Sequence, residues 1–363
     1  MHEAVRQALE LKRAIYENYL DVRYIRFADD SKPFKRGTVV IDDTIIPPYP
    51  KIGRLFVLKE GLNRYFKEPF YIEEKADGYN IRVIYIKDRI LAITRGGFVC
   101  PFSTDRLPDF YDFEKFFREN PHLILFGEII GPNNPYMELH PPYITFDVAF
   151  KLFDIYNPIE KRFFLPEERY RIADLYQIPQ VGRFGRFNSS DFESIKEIVL
   201  KLNEEEIEGV VIKSAEKVFK YFKYATPIIN IKDIEADIDL LLELPGEFYT
   251  QRILRYALSS LELGFDDQEV IEKLGKILIE NFKKVVQEFK STAKISRQYV
   301  LYFNKQENIE EFIKLESRAS DLIKVKLIEI EKSSDKFKVT IEKTFLKATT
   351  RLYRLLRGYP LYD

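Results

Sequence analysis

The sequence has little cysteine and histidine. Cys100 is the single cysteine among 363 residues, which excludes an internal disulfide and fits a reducing compartment. The three histidines, His2, His122 and His140, are scattered and do not have the spacing of zinc ligands. The sequence therefore indicates an intracellular protein without disulfide or zinc crosslinks.

Long apolar segments are also missing. No run of apolar residues approaches the length that crosses a membrane. The first twenty residues are charged and lack the apolar core of a signal peptide. We therefore expect a protein without a membrane partner, located in the cytoplasm.

Neither sign of charge dominates. The formal net charge is −1, so any site for a polyanion must be a local basic patch. With 45% hydrophobic and 32% charged residues, the chain is predicted to be globular and long enough for two or three domains. The absence of tryptophan and the abundance of Lys, Glu and Ile are typical of thermophilic proteins.

The most informative stretch that is present is EEKADGYN, residues 73–80. A lysine, one spacer and then Asp-Gly is how one group of enzymes presents a lysine amine to the α-phosphorus of a nucleotide. Further segments follow in order: TRGG (94–97), LFGEIIG (125–131), TFDV (145–148), EGVVIK (208–213) and KYFK (220–223). This series resembles the motifs of the covalent nucleotidyltransferases, which comprise ATP-dependent DNA ligases, RNA ligases and mRNA capping enzymes. The resemblance covers about residues 70–224.

Lys75 is the predicted nucleophile. A protonated amine cannot attack phosphorus, so the pKa of this lysine has to be lowered by burial or by nearby positive charge. Lys213, Lys220, Lys223 and a bound Mg²⁺ are candidates for that charge, and they would also stabilise the negative charge of the reacting phosphates. Without the other motifs, a surface lysine in a strand and turn would be the preferred interpretation.

Residues near Lys75 refine the resemblance. In DNA ligases and capping enzymes the fifth position after the lysine is usually arginine, whereas one group of RNA ligases has asparagine, as Asn80 does here. Arg95, twenty residues after the lysine, resembles the arginine that touches the nucleotide or the RNA end in those ligases. Glu73 is expected to contact the adenine, and Gly78 to let the backbone turn tightly.

The later motifs supply the remaining predicted site. By resemblance, Glu128 binds the ribose hydroxyl or organises the metal, and Glu208 binds Mg²⁺ or Mn²⁺. Phe146 resembles the aromatic residue that stacks on the adenine; a plain core phenylalanine is the alternative.

The lysines of the last two motifs are assigned in the same way. Lys213 is expected to reach the α-phosphate. The family usually has Lys-x-Lys in the last motif, but here two residues separate Lys220 from Lys223, so Lys223 is the preferred assignment and Lys220 the weaker one.

The secondary-structure pattern predicts an α+β fold. A helix is expected at 3–20, a β-rich stretch at 22–58, short antiparallel strands from 69 to 224, and helices at 308–331 and 338–357. We expect four units: a β-rich N-terminal domain (1–60), a nucleotidyltransferase domain with antiparallel sheets (61–228), a helical dimerisation domain (229–300) and a helical C-terminal domain (301–363).

This architecture resembles the archaeal-type ATP-dependent RNA ligases. DNA ligases and capping enzymes have a five-stranded oligonucleotide-binding barrel after the last motif, which the helical pattern argues against. The resemblance implies a homodimer that uses ATP and Mg²⁺ to join RNA ends carrying a 5′-phosphate and a 3′-hydroxyl, including the two ends of one strand. A DNA ligase, a capping enzyme and a non-catalytic RNA-binding dimer are the alternatives.

A basic segment near the C-terminus is the candidate RNA-binding surface. Residues 336–357 contain seven basic residues and one acidic residue. Lys343, Lys347, Arg351, Arg354 and Arg357 recur near every four residues, which would align them on one helix face suited to RNA phosphates. A solvated charged face is the alternative.

Overall fold

The computed structural model describes residues 3–265, 267–333 and 335–360. In chain order the strands are β1 (Ala14–Tyr19), β2 (Val22–Phe27), β3 (Val39–Ile41), β4 (Thr44–Ile46), β5 (Gly53–Arg54), β6 (Phe70–Lys75), β7 (Gly78–Ile86), β8 (Arg89–Thr94), β9 (Ile124–Ile130), β10 (Ala149–Asn157), β11 (Arg162–Phe163), β12 (Arg183–Phe187), β13 (Gly209–Ser214), β14 (Tyr221–Ala225), β15 (Ser296–Phe303), β16 (Ile323–Ser333) and β17 (Lys336–Phe345).

The α-helices, in chain order, are α1 (Glu3–Glu10), α2 (Leu58–Tyr65), α3 (Pro101–Phe110), α4 (Phe113–Glu119), α5 (Pro166–Tyr176), α6 (Phe192–Glu204), α7 (Pro227–Ala236), α8 (Glu247–Leu263), α9 (Gln268–Lys276), α10 (Phe282–Thr292), α11 (Gln306–Ala319) and α12 (Leu346–Leu356). In the part of the chain that the structure describes, none of these helices combines the length and the apolar character needed to cross a membrane.

Two five-stranded sheets form the centre of the molecule. One has the strand order β11-β10-β9-β7-β8, and the other has the order β12-β6-β13-β14-β5. Their pairings are antiparallel except that of β14 with β5. Because β6 ends at Lys75 in one sheet and β7 begins at Gly78 in the other, the short connection between them brings the two sheets together. The predicted α+β class with antiparallel sheets is confirmed.

The N-terminal segment forms a four-stranded sheet that is tied to the centre by a buried arginine. Arg82 on β7 is fully buried, and its guanidinium donates to the carbonyl oxygens of Gly37, Pro47 and Thr94 at 2.6–2.9 Å. Carbonyl oxygens can satisfy a buried guanidinium that has no carboxylate beside it. Arg82 thereby fixes two segments beside the candidate site, the loop after Pro47 and the turn that begins at Thr94.

The predicted helix at 3–20 needs correction. The helix ends at Glu10, and Ala14–Tyr19 is a strand that pairs with Val22–Phe27. The first strand alternates buried and exposed positions only in part, which hid its period of two. The pairing of this segment with Val22–Phe27, across a two-residue turn, stabilises it as a strand and not as a helix.

The helical prediction for the C-terminal half is correct up to Thr292 and again for α11 and α12. It is wrong for 296–303, 323–333 and 336–345, which are strands. The predicted helical ranges 308–331 and 338–357 overlap the strands β16 and β17, which form a three-stranded sheet in the order β15-β17-β16. Ile323–Ser333 alternates apolar and charged residues as a strand does, but the alternation changes phase after Leu327, where the register of the pairing also shifts. This break in the period of two hid the strand.

The C-terminal sheet shares a hydrophobic core with the first central sheet. Leu301, Phe303 and Ile341 are buried in one cluster with Phe102 and Leu125. The segment after residue 295 therefore packs on the central fold through a continuous apolar interior.

Candidate active site

A cavity of about 310 Å³ lies between the two central sheets. Its walls come from the strand ends around Lys75, from the second sheet and from the loop before β5. The lining residues are Tyr49, Pro50, Lys51, Ile52, Glu73, Glu74, Lys75, Ala76, Asn80, Arg95, Glu128, Phe153, Val181, Val211, Lys213 and Lys223. The structure thus brings together most of the predicted site residues, although they are spread over 150 positions of sequence.

Lys75 lies where the two sheets cross. A Cβ added to Gly78 would lie 2.1 Å from the carbonyl oxygen of Ile129 on the neighbouring strand, so glycine is required because the two backbones approach closely. The φ angle of Gly78 is not in the left-handed region, so close approach and not a tight turn explains this residue.

The Lys75 ammonium is paired with the Glu208 carboxylate. Burial opposes the charged form, but the surrounding carboxylates, that of Glu208 first, outweigh burial and raise the pKa of Lys75. This differs from the lowered pKa that the sequence predicted, because the residues closest to the amine are acidic.

Two further carboxyl groups surround this ion pair. Burial, followed by the negative charge of Glu208, raises the pKa of Asp77 to about 8. Burial is also the main cause that raises the pKa of Glu128 to about 8. One ammonium group therefore faces three acidic side chains, an arrangement that favours the arrival of further positive charge.

The deep end of the cavity is a network of paired charges. Lys213 is almost fully buried, and its Nζ lies 3.0 Å from Glu73 and 3.1 Å from Asp154. Glu73 also accepts from Arg169 at 2.5 Å and from the Tyr170 hydroxyl at 2.7 Å. The Glu73 carboxylate therefore contacts two cations of the protein, and these contacts fix the wall at the deep end of the cavity.

The outer end of the cavity is rich in cations without acidic partners. Lys51, Arg95 and Lys223 line it, and none of them forms an ion pair within the described ranges 3–265, 267–333 and 335–360. Burial, and next the charge of Arg54, lowers the pKa of Lys223 to about 8. The buried Oδ1 atom of Asn80 also lacks a hydrogen-bond partner within those ranges. This end is suited to an anionic ligand with polar groups.

The acidic side chains around Lys75 fit a divalent cation that a substrate helps to hold. Glu208 and Glu128 would supply oxygen donors, but the described residues contain no group of three or more acidic, histidine or cysteine side chains that would hold a metal by themselves. Mg²⁺ is commonly bound by one or two carboxylates together with phosphate oxygens and water.

The structure does not bring Phe146 to the cavity. Its side chain is 66% exposed, and its ring lies 5.3 Å from that of Tyr302. Phe153 on β10 lines the cavity instead. The sequence contains a second Phe-Asp pair, Phe153-Asp154, seven residues after Phe146-Asp147, so both phenylalanines were candidates. The Asp147 carboxylate accepts hydrogen bonds from Arg106, and Asp147 does not line the cavity.

Lys220 is also held away from the cavity. Its Nζ donates to Glu68 at 2.8 Å, and Lys217 approaches the same carboxylate at 3.3 Å. Lys223 is the lysine of this segment that faces the cavity. Two positions three apart on a strand point to opposite faces, so the Lys-x-x-Lys spacing separates the two lysines.

The basic stripe near the C-terminus does not form one helix face. Lys343 is buried on β17, where its Nζ bonds to Glu316 and to the carbonyl oxygen of Pro135. Lys347 and Arg351 on α12 donate to the carbonyl oxygens of residues 243 and 242. Arg354 remains exposed on the same helix.

The two central sheets and the lysine at their crossing define a nucleotidyltransferase-type domain. Residues 68–225 match the family model described as RNA ligase, and residues 237–359 match the model described as the Ligase Pab1020 C-terminal region. The chain belongs to the family of archaeal-type ATP-dependent RNA ligases, as the sequence predicted.

Three relatives match this chain over nearly its whole length. A solved structure from Aquifex aeolicus, whose name assigns it provisionally to the ATP-dependent DNA ligases, is 40% identical, with a TM-score of 0.93 over 99% of this chain and 100% of that chain. A structure named as an archaeal ATP-dependent RNA ligase is 26% identical, with a TM-score of 0.87 over 99% of this chain and 96% of that chain. An uncharacterized protein of Methanocaldococcus jannaschii is 27% identical, over 94% of this chain and 89% of the relative.

Proposed function

We propose that this protein is an ATP-dependent RNA ligase that works through a lysyl-adenylate. The observation that carries the proposal is the position of Lys75, whose amine lies at the crossing of two sheets in a cavity with unpaired cations at its outer end. The family to which the chain belongs, and the archaeal RNA ligase that it resembles over nearly its whole length, support the same activity.

In the first step, Lys75 Nζ attacks the α-phosphorus of ATP. A phosphorus–nitrogen bond forms, and the bond between the α-phosphorus and the pyrophosphate oxygen breaks. The ammonium must first lose a proton, and a divalent cation on Glu208 would weaken the ion pair that now favours the protonated form. A phosphate near Lys223 would be stabilised by a cation that forms no ion pair with the residues the structure describes.

The adenylate then moves to RNA. An oxygen of the 5′-phosphate attacks the adenylate phosphorus, and Lys75 is released. The 3′-hydroxyl finally attacks the 5′ phosphorus, which forms the phosphodiester and releases AMP. When both ends belong to one flexible strand, their effective concentration is high, so circularisation is expected.

The adenine is expected at the apolar part of the cavity. Phe153 and Val211 line it from different sheets, and their apolar side chains suit a flat base. Mg²⁺ or Mn²⁺, held by Glu208 and Glu128, would supply positive charge to the phosphates and would lower the pKa of the nearby amine.

We also propose that the protein is a homodimer through its helical segment after residue 228. Leu254, Leu261, Ile271 and Ile279 on or next to helices α8–α10 are each at least 50% exposed. Leu254 and Leu261 are seven residues apart on α8 and therefore share one face of that helix. Exposed apolar side chains on one face are typical of interaction surfaces. Leu261→Glu should lower the molar mass measured by light scattering from two chains to one, whereas an unchanged mass would exclude this surface.

A DNA ligase is the second candidate, because the Aquifex aeolicus relative carries that name. The C-terminal sheet has three strands, whereas an oligonucleotide-binding barrel has five. Asn80 also has the residue type of the RNA ligases. These two features favour RNA.

The test is labelling of the protein with α-labelled ATP and Mg²⁺, without RNA. We expect a labelled protein that is lost in Lys75→Ala and is not formed from labelled GTP. Adding 5′-phosphorylated RNA or DNA to the labelled protein then distinguishes the substrates by which strand is sealed. A folded wild-type protein, freed of bound adenylate, that takes up no label would overturn the proposal.

A further inference from the structure

Two arginines outside the sequence motifs lie next to the outer end of the cavity. Arg54 forms the last strand of the second central sheet, and Arg255 lies on helix α8. Arg54 is partly buried and Arg255 is only 8% exposed. Neither forms an ion pair with any described residue, although buried arginines are normally paired.

The register of the sheet places Arg54 beside Lys223. Glu73 pairs with Val211, Val211 pairs with Lys223, and Lys223 pairs with Arg54. Directly paired residues of neighbouring strands project from the same face of a sheet. Since Glu73, Val211 and Lys223 line the cavity, Arg54 continues the same row by one strand, about 4.8 Å farther out.

Helix α8 brings Arg255 to the same edge. Glu262, two turns after Arg255, accepts from the backbone N–H groups of Leu58 and Lys59, which follow β5 closely. The backbone N–H of Leu55 in turn donates to the carbonyl oxygen of Lys223. Residues seven apart on a helix lie on one face, so Arg255 faces the strand that carries Arg54.

Mutual repulsion accompanies this arrangement. Burial, and next the charge of Arg54, lowers the pKa of Arg255 to about 10. The nearby Asp233 carboxylate is already paired with Arg252, whose Nε lies 2.7 Å from it. Glu208 and Asp233 are the carboxylates that act on both arginines. Each is already paired with another cation, Lys75 or Arg252, so a bound anion would give the arginines a direct partner.

We propose that Arg54 and Arg255 bind the β- and γ-phosphates of ATP and hold the pyrophosphate as it leaves. A triphosphate extends beyond the α-phosphate by roughly the spacing of one strand, which is the offset of Arg54 from Lys223. The planar guanidinium fork suits phosphate oxygens. The 5′-phosphate of RNA is the alternative phosphate ligand for these two arginines. This inference rests on the proposed ligase function.

The experiment separates the three chemical steps in the full-length protein. Arg54→Ala and Arg255→Ala should each slow lysyl-adenylate formation from ATP at least tenfold. In the reverse reaction, pyrophosphate converts the adenylated protein to ATP. The two variants should slow this reaction by a similar factor at a given pyrophosphate concentration. Transfer of AMP from adenylated protein to 5′-phosphorylated RNA, and sealing of pre-adenylated RNA, should stay within twofold of wild type.

Arg54→Lys is expected to recover part of the loss, because it keeps the charge without the fork. Arg64→Ala, which removes an exposed arginine ten residues after Arg54, is the matched control and should behave as wild type. Thermal unfolding identifies variants that fail to fold.

Two results would overturn the inference. If the alanine variants respond normally to pyrophosphate but transfer AMP to RNA slowly, the arginines bind the RNA phosphate. If the rates of all steps are unchanged, the two arginines bind neither the phosphates of ATP nor the RNA phosphate. Failure of the wild-type protein to form an adenylate would instead contradict the proposed function itself.

Discussion

The two ends of the cavity differ in how their charges are balanced. At the deep end, Lys213 is buried between Glu73 and Asp154, and every charge has a partner. At the outer end, Lys223 and Arg95 have no acidic partner among the described residues. Paired buried charges stabilise one arrangement of the protein, whereas unpaired cations gain their partner from a substrate. The first group should therefore control stability, and the second group should control activity.

The largest expected effect is at the deep end. Glu73→Gln removes the carboxylate that both Arg169 and Lys213 contact, which leaves two buried cations without a full partner. Breaking a buried pair in this way costs about 3–5 kcal/mol. Urea unfolding should show this loss in the free energy of unfolding. The neighbouring Glu74→Gln is the control, with an expected loss below about 1 kcal/mol. Equal losses would contradict the assignment of the network to stability.

The next effect is at the outer end. Lys223→Ala should reduce the rate of lysyl-adenylate formation by about 10²–10³, the usual cost of removing one preorganised group that stabilises developing charge. Its free energy of unfolding should change little, because among the described residues the side chain has no ion-pair partner to lose. Lys220→Ala is the matched control three residues away and should leave the rate within twofold. A large rate loss in this control would show that Lys220 also acts in adenylate formation.

A smaller effect is expected for the aromatic wall. Phe153→Ala should raise the KM for ATP about tenfold, since an aromatic contact contributes about 0.5–1.5 kcal/mol beyond its buried area. Phe146→Ala removes an exposed side chain outside the cavity and should leave KM unchanged. Steady-state labelling at varied ATP concentrations measures both. The reverse result would show that the base stacks on Phe146.

The smallest effect concerns the pairing of Lys220. Burial alone would raise the pKa of Glu68, but its hydrogen bonds, that from Lys220 first, lower the pKa to about 2 from 4.5. A lowered folded-state pKa contributes stability above pH 4.5 that is lost as the pH falls towards 2. Urea midpoints should therefore show Glu68→Gln less stable than wild type at pH 7, with the difference shrinking between pH 4.5 and 3. A difference independent of pH would exclude this ion pair as its cause.

The predicted motifs and the site agree where the motifs lie on strands of the central sheets. Lys75, Asn80, Glu128, Lys213 and Lys223 all line the cavity, because each pattern combines a polar residue with an apolar strand. Phe146 shows the limit of this reasoning. Two Phe-Asp pairs occur seven residues apart, and local sequence does not indicate which of them enters the sheet.

The sequence by itself determined the family, the α+β class and the candidate nucleophile, because these depend on residue types in a fixed order. Tertiary structure decided which charges are paired. It buried Lys343 and bound Lys220 to Glu68, and it gave Lys75 an acidic surrounding that raises its pKa. It also placed Arg54 next to Lys223, although 169 positions separate them in the chain. Electrostatic interactions depend on distance in space, and distance in space is set by the packing of sheets and helices.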